Sequence, residues 1–459
     1  MTVGRRDAMD AIHQQAVRQW PADQQTLIEA FVDHYYGMAS GEDFADRSAA
    51  DLFGAAAAHY RLGERRRGDT HLRVYNPEAS RDGWASDHTA IQLVTDDRPF
   101  LVDSLSMAVN EQGLMVHRLV HPVLEVDRRS DGAIIDVCDD ADAAGRAEAW
   151  IHLEVDRQAE PGHLAALEQA LRAALSDVKA AVDDWPAMAA AADKARQDLQ
   201  NQPPEAMTAD LAEVDAFLQW LVDDHFTFLG YRCYALTRQD DALQLELVPD
   251  TGLGILRDDE TTPRPSQSFT ALPQALREQA ADPDPLILTK SSRRATVHRA
   301  GYMDSIGVKR FNADGEVIGE HRFLGLYTSA AYSRNPRHIP LLRKKVGRVL
   351  DDANLRPRSH AGKALLHILD TYPRDELFQI DSETLRDTAM GILQLQERQR
   401  TRLFLRHDPF GRFVSCLVYT PRDRYDTGVR QRMQAILMEA FSGAHSEFGV
   451  QLTEAVLAR

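Results

Sequence analysis

Apolar residues recur at two different spacings along this chain, and each change of spacing marks an element. From the start to about residue 62, Ala-rich and charged stretches punctuated by Pro21 carry apolar residues at helical intervals. Leu27, Ile28, Phe31, Val32 and Tyr35 make one stripe, and a second helix is predicted over 49–60. A polar passage at 63–69 leads into a strand over 70–75, and a strand over 90–94 runs into Asp96-Asp97-Arg98-Pro99. Leu101, Leu105, Ala108 and Val109 return to helical spacing; Pro99 suits the first helical turn and Gly113 supplies the stop. A strand over 114–126, interrupted by Pro122, comes next, then an acidic loop at 136–142. Residues 150–155 alternate, with Ile151, Leu153 and Val155 on one face, and Leu164, Leu167, Leu171, Leu175 and Val178 form a long helical stripe. The order strand, helix, strand, strand, helix predicts helices packed on one face of an antiparallel sheet.

Residues 184–210, rich in Ala, Gln and Asp and broken at Pro203-Pro204, read as a helical connector. Leu211, Val214, Phe217, Leu218, Leu221 and Val222 make a further amphipathic helix. Strands are predicted over 227–234 and 243–248, and the five prolines of 258–285 predict a surface loop with one short helix. A second sheet-rich region runs over 286–329. Its clearest piece is a hairpin: 307–311, the turn Asn312-Ala313-Asp314-Gly315, then 317–327. Helices are predicted over 339–352, 362–370 and 383–400. The pattern then restarts: strands over 402–406 and 412–419 flank His407-Asp408-Pro409-Phe410-Gly411, a helix covers 428–441, and a strand starts near Glu447. Position 459 falls inside that last strand, so a segment of a longer polypeptide is expected. The fold class is α+β, in six regions: 1–85 helical, 86–183 a first α/β unit, 184–225 a helical connector, 226–335 a second, sheet-rich unit, 336–400 helical, and 401–459 a third unit one element short.

The 459 residues exceed one ordinary core, and 44% hydrophobic composition can fill several. The net charge of −17, from 53 basic and 70 acidic residues, opposes a nucleic-acid or anionic-membrane role despite local runs such as Arg65-Arg66-Arg67. Cys138, Cys233 and Cys416 lie too far apart in sequence for a disulfide framework or a CxxC metal pair, which fits a reducing cytoplasm. The start of the chain has no signal-peptide apolar stretch, and no run approaches transmembrane length.

Catalytic chemistry is hard to assemble from these residues. His117 and His121 have the spacing of helical zinc ligands but lie in a strand-like stretch, where they stand about 13 Å apart. Asp96 and Asp97 are read as an N-terminal helix cap before an acid/base pair. No GxSxG, GxGxxG or Walker A pattern occurs, Gly252-Leu253-Gly254 included, so no catalytic residue, metal site or nucleotide cradle is expected. A strand–turn–helix at 97–101 presents unpaired N–H groups at the helix start, which favours a small anion such as an amino-acid carboxylate. Lys290, Arg293, Arg294, His298 and Arg299 form a basic group beside a strand, suited to an anion or to an acidic interdomain contact. Trp150, Trp185 and Trp220 read as core or interface anchors.

Asp97-Arg98-Pro99 with Leu101 and the helix after it resembles the DRPGLL turn of ACT domains, amino-acid-sensing βαββαβ modules of ferredoxin-like fold. Longer strings carry the resemblance through nearly the whole chain. They are DDRPFLVDSLSMAVNEQGLMVHRLVHPVLEV, FLQWLVDDHFTFLGYR at 217–232, TVHRAGYMDSIGVKRF, GEHRFLGLYTSAAY, YPRDELFQI at 372–380 and RLFLRHDPFGRFVSCLVYTPRDRY at 402–425. Together they resemble the N-terminal portion of the large bacterial NAD-dependent glutamate dehydrogenases. The resemblance implies three ACT-like domains and helical motifs ahead of a separate dehydrogenase domain, glutamate deamination with NAD in that downstream domain of the same polypeptide, and a homo-oligomer. It implies for this segment a regulatory and assembly role with no cofactor of its own. The effector site it implies comprises Asp97, Arg98, Pro99, Phe100 and Leu101, with one departure: Phe100 stands where amino-acid-binding ACT domains usually have Gly, and a Phe there crowds or fills the pocket. A free-standing amino-acid sensor is the alternative of a different class; a hydrolase built on His117/His121 or Asp96/Asp97 is a third.

Overall fold

The computed structural model describes residues 5–39, 41–44, 47–138, 146–203, 211–239, 242–257, 282–395, 398, 400–451 and 457–458. The short helix expected within 258–285, the acidic loop beyond 138 and Pro204 lie outside the described residues. The chain forms two compact units: residues up to Asp183 together with Ala295–Gly301, and Asp184–Arg294 together with the residues from Tyr302 onward. The architecture is α+β, with antiparallel sheets throughout. Among the described residues no helix is long and apolar enough to cross a membrane.

The first unit opens with α1 (Arg5–Gln19), α2 (Gln25–Tyr35) and α3 (Ala49–Gly63). Ser48 caps α3, accepting from the Asp51 N–H at 3.0 Å. Its run of alanines lets α3 approach closely, and a Cβ on Gly54 would meet the Gly83 carbonyl at 2.6 Å. Then come β1 (His71–Tyr75), α4 (Ala79–Asp82), β2 (Thr89–Asp96), α5 (Leu101–Glu111), β3 (Val116–Val120), β4 (Val123–Arg128), β5 (Ile134–Cys138), β6 (Arg146–Val155) and α6 (Pro161–Asp183). The strand order is β1-β2-β6-β4-β5, with β3 also paired to β6. From Arg118 onward β3 and β4 keep one register along β6 across Pro122, whose carbonyl accepts from the Trp150 N–H at 3.0 Å while its ring nitrogen offers no donor.

One expectation is extended here and another corrected. α5 and α6, the helices of the predicted order, share one face of this sheet, and α1–α3 cover the other. Val94 and Trp150 join Ile28, Phe31, Phe53 and Tyr60 in a core on the α1–α3 side, while Ile91, Leu93, Ile151 and Leu153 alternate to the other side, where α5 packs on α6. The cause is that β2 and β6 are buried along nearly their whole length. Polar residues that simple alternation sends outward, Gln92, His152 and Glu154, are therefore inside; the Gln92 amide donates to the Ala55 carbonyl at 3.0 Å. Residues 136–138, expected as loop, belong to β5, paired to β4.

The second unit holds α7 (Trp185–Asn201), α8 (Leu211–Trp220), β7 (Phe226–Gln239), β8 (Ala242–Leu247), β9 (Leu253–Gly254), β10 (Leu286–Arg294), β11 (Tyr302–Phe311) and β12 (Val317–Tyr327). Its sheet order is β10-β11-β12-β7-β8, with β9 on β7. Then follow α9 (Ser329–Ser333), α10 (Leu342–Asp352), α11 (His360–Asp370), α12 (Arg374–Gln379), α13 (Ser382–Leu395), β13 (Arg402–His407), β14 (Val414–Pro421), α14 (Thr427–Ala440) and β15 (Leu457–Ala458). One core joins Phe228, Tyr231, Phe323 and Val308 of the sheet to Met188 of α7, Phe217 of α8, Val346 of α10 and Leu369 of α11. The short α9 and α12 escaped the periodicity reading because each is too brief to show it. The strand expected from near Glu447 does not begin there: 444–451 are irregular, leaving Phe448 58% exposed, 452–456 lie outside the described residues, and β14 pairs with β15 at 457–458. Trp150 and Trp220 are buried, whereas Trp185 is 41% exposed and anchors no core.

Candidate functional site

The turn after β2 is built differently from its sequence reading. The Asp97 N–H donates to the Ala147 carbonyl at 3.1 Å, and α5 begins only at Leu101, two residues past Pro99. Neither Asp96 nor Asp97 caps it. The cap position belongs to Phe100, with φ 73° and ψ 1° and no side-chain cap bond. This left-handed conformation costs a side-chain-bearing residue on the order of 1 kcal/mol. Asp96 is unavailable because its carboxylate is held by Arg66 and by Arg146, the latter at 2.7 Å. Behind the turn, Arg66 and Arg128 both grip Glu148, 1% exposed, through contacts of 2.6 and 2.8 Å. Arg66, part of a basic run in the sequence, is thus an internal ion-pair partner.

Beside this turn lies a cavity of about 160 Å³. Asp97, Arg98, Phe100 and the first helical residues Leu101–Asp103 line it, with Val123 and its cross-strand partner Ala149, Ile151, and His121. That is below the roughly 300–1,000 Å³ of drug-sized sites and matches a molecule of amino-acid size. Its chemistry carries both signs: unpaired N–H groups at the start of α5 and the Arg98 guanidinium for a carboxylate, Asp97 and Asp103 for an ammonium. Arg98 is also shared with Asp183 at 3.4 Å and Asp96 at 3.7 Å.

Two separately predicted groups meet here. His298, at φ 76°, packs its ring 4.8 Å from that of Phe100, tilted by 42°, and its backbone N–H donates to Ser104 Oγ of α5 at 3.1 Å. Nearby, the Thr296 hydroxyl donates to Asp177 of α6 at 2.6 Å. Burial, helped by the Arg299 charge, lowers the His298 pKa. Ser104 was the missed signal: a hydroxyl on the buried face of an amphipathic helix, 1% exposed.

Of the predicted basic group only Arg299 accompanies His298 in the first unit, while Lys290, Arg293 and Arg294 belong to the second, which corrects the reading of one patch. Lys290 Nζ is held between Asp304 at 2.7 Å and Asp375 at 3.1 Å, so it faces carboxylates of its own unit. Burial pushes Asp304 up to about 6; it also opposes the Lys290 charge, but the two aspartates outweigh it and raise that pKa. Arg294 pairs with Glu447 and lies over the Tyr302 ring, and the Arg293 N–H donates to Ser291 Oγ at 3.1 Å. His117 pairs with Asp156 at 2.7 Å and packs against the His88 ring, while His121 lines the cavity wall. Among the described residues no group of three or more His, Cys, Asp or Glu could hold a metal ion. The Gly252-Leu253-Gly254 stretch leads into β9 and serves packing: Gly254, at φ 60°, donates its N–H to Asp184 at 2.8 Å, and a Cβ there would meet the Leu229 carbonyl at 2.2 Å.

The sequence matches three family models: "Glutamate dehydrogenase, ACT1 domain" over 31–171, "Glutamate dehydrogenase, helical motif 1" over 339–398 and "Glutamate dehydrogenase, ACT2 domain" over 402–459. The first covers the turn, the cavity and the sheet of the first unit. The chain is 38% identical to a protein of Halomonas elongata over 99% of its own length and 28% of the relative's. It is 34% identical to one of Pseudomonas aeruginosa, over 94% and 27%, and 31% identical to one of Mycobacterium tuberculosis, over 93% and 26%. All three are named NAD-specific glutamate dehydrogenase. The chain therefore spans little more than a quarter of the length of these curated relatives. With the models in this order and the similarity running end to end, the chain belongs to the glutamate dehydrogenase family.

Proposed function

We propose that this chain is the regulatory and assembly region of an NAD-dependent glutamate dehydrogenase. In this reading a catalytic domain elsewhere in the same polypeptide converts L-glutamate, NAD and water to 2-oxoglutarate, ammonia and NADH. The chain itself contributes no catalytic group; it helps to assemble a cytoplasmic homo-oligomer and senses an amino-acid effector. The observation that carries it is the similarity of 93–99% of this chain to about a quarter of three enzymes of that name. A cavity of amino-acid size beside a helix start, with charges of both signs, supports the sensing half. Given glutamate and NAD, the purified chain is expected to form no NADH by absorbance, and measurable turnover would refute the division of labour.

The effector site has its own test. Phe100→Gly removes the ring that lines the cavity, so a small α-amino acid should bind roughly tenfold more tightly, worth about 1.4 kcal/mol. Titration calorimetry of both forms against a panel of amino acids reads this out. Heat-silent titrations for both would remove the effector and leave a scaffold.

A further inference from the structure

Charge is distributed very unevenly along this acidic chain. Residues 334–367 hold nine Lys and Arg against two Asp, a net of +7, which leaves −24 on the remainder of a chain of −17. The fold turns most of these bases outward. In α10, Leu342, Val346 and Val349 are buried, so Arg343, Lys344 and Arg348 take the opposite face. Arg356 and Arg358 follow on the exposed loop to α11, and Lys363 is exposed in its first turn. Arg343 is answered by Glu213 at 2.8 Å. Arg348, Arg356, Arg358 and Lys363 have no ion pair within 4 Å among the described residues.

Helix stability does not account for this placement. α10 carries Arg343 and Lys344 in its first turn and Asp351 and Asp352 in its last, the reverse of what the helix dipole favours. α11 repeats the reversal, with Lys363 near its start and Asp370 at its end. We propose that the outward surface of α10 and the α10–α11 loop, centred on Arg348, Arg356 and Arg358, docks an acidic surface of a second copy of this chain. A nucleic acid fits less well, because the −24 elsewhere repels a polyphosphate over the range at which the patch attracts it. The same −24 supplies the complementary partner in every copy. The proposal holds whether or not the chain serves a dehydrogenase.

Sedimentation velocity of the whole chain tests it, at about 50 mM and about 500 mM salt, since screening shortens from beyond 10 Å to a few ångströms between them. Self-association should weaken at least tenfold at the higher salt. Arg348→Glu with Arg356→Glu and Arg358→Glu should be monomeric at low salt, with an unchanged circular dichroism spectrum, while the matching triple lysine variant still associates. A wild-type monomer at low salt, or association indifferent to both salt and charge reversal, overturns the proposal. So does retention of a duplex oligonucleotide with no self-association, which would assign the patch to a polyanion instead.

Discussion

Glu148→Ala is expected to destabilise the first unit by about 3–5 kcal/mol, a drop of roughly 10 °C in its melting midpoint. Glu148 is 1% exposed and receives two guanidinium groups, Arg66 and Arg128, with Arg66 itself 2% exposed. Its removal leaves the half-buried Arg128 with only the Gly63 and Gly132 carbonyls, and Arg66 with Asp96 and the Asp69 carbonyl; losing one partner of a buried ion cluster costs far more than the cluster contributes to folding. The contrast is Arg146→Ala, which loses a contact to Asp96 from a side chain 67% exposed and should cost under about 1 kcal/mol. A thermal melt of both variants decides the matter. Equal, small losses would mean that Glu148 is effectively hydrated and the cluster dispensable.

Acid should weaken the same unit through a buried neutral imidazole. In His59, 0% exposed, one ring nitrogen contacts the Tyr35 hydroxyl and the other the Leu93 carbonyl, each at 3.0 Å. Burial, with the neighbouring His152 adding to it, lowers its pKa to about 3 from an ordinary 6.5, against a smaller opposing effect of the Leu93 bond. Between those values the unfolded chain takes up a proton that the folded chain refuses. Stability therefore falls as pH drops below about 6.5 and the loss levels off near 3, amounting to about 3 kcal/mol at pH 4. Glu154 adds a second, lower step. Burial raises its pKa, but His152, Ser86 and Arg47 outweigh that and hold it at about 2, so its contribution is lost as pH falls from 4.5 toward 2. Melting midpoints at several pH values should slope downward across the upper window in the wild type and flatten there in His59→Gln. A wild-type midpoint constant from neutrality to pH 4 would show that the ring is not held neutral.

The parts of this fold legible in the sequence were those written in local spacing. The α5 stripe of Leu101, Leu105 and Val109, the turn at Asn312–Gly315 between β11 and β12, and the break at Pro122 all lie where periodicity and turn chemistry put them. What could not be read were matters of partnership across the chain. Asp96 looks like a helix cap until Arg66, thirty residues earlier, is seen to hold its carboxylate. Lys290 looks like an open cation until Asp304 and Asp375 enclose it. The helical cover on the second face of the first sheet follows from Trp150 and Val94 meeting Phe31 and Tyr60, contacts that no window of sequence contains. At the candidate site, Asp97 to Leu101 stood out as a turn, but the meeting of Phe100 with His298 joins positions nearly two hundred residues apart.

Strand β6 carries a further implication. Residues 148, 150 and 152 turn a carboxylate, an indole and an imidazole toward α1–α3, while Ala149 and Ile151 between them border the cavity. This stretch is a partition one peptide thick, charged and aromatic on one surface, small and aliphatic on the other. A molecule pressing on Ala149 would be felt at Glu148 through a single amide plane, with no chain of intervening side chains to carry the signal.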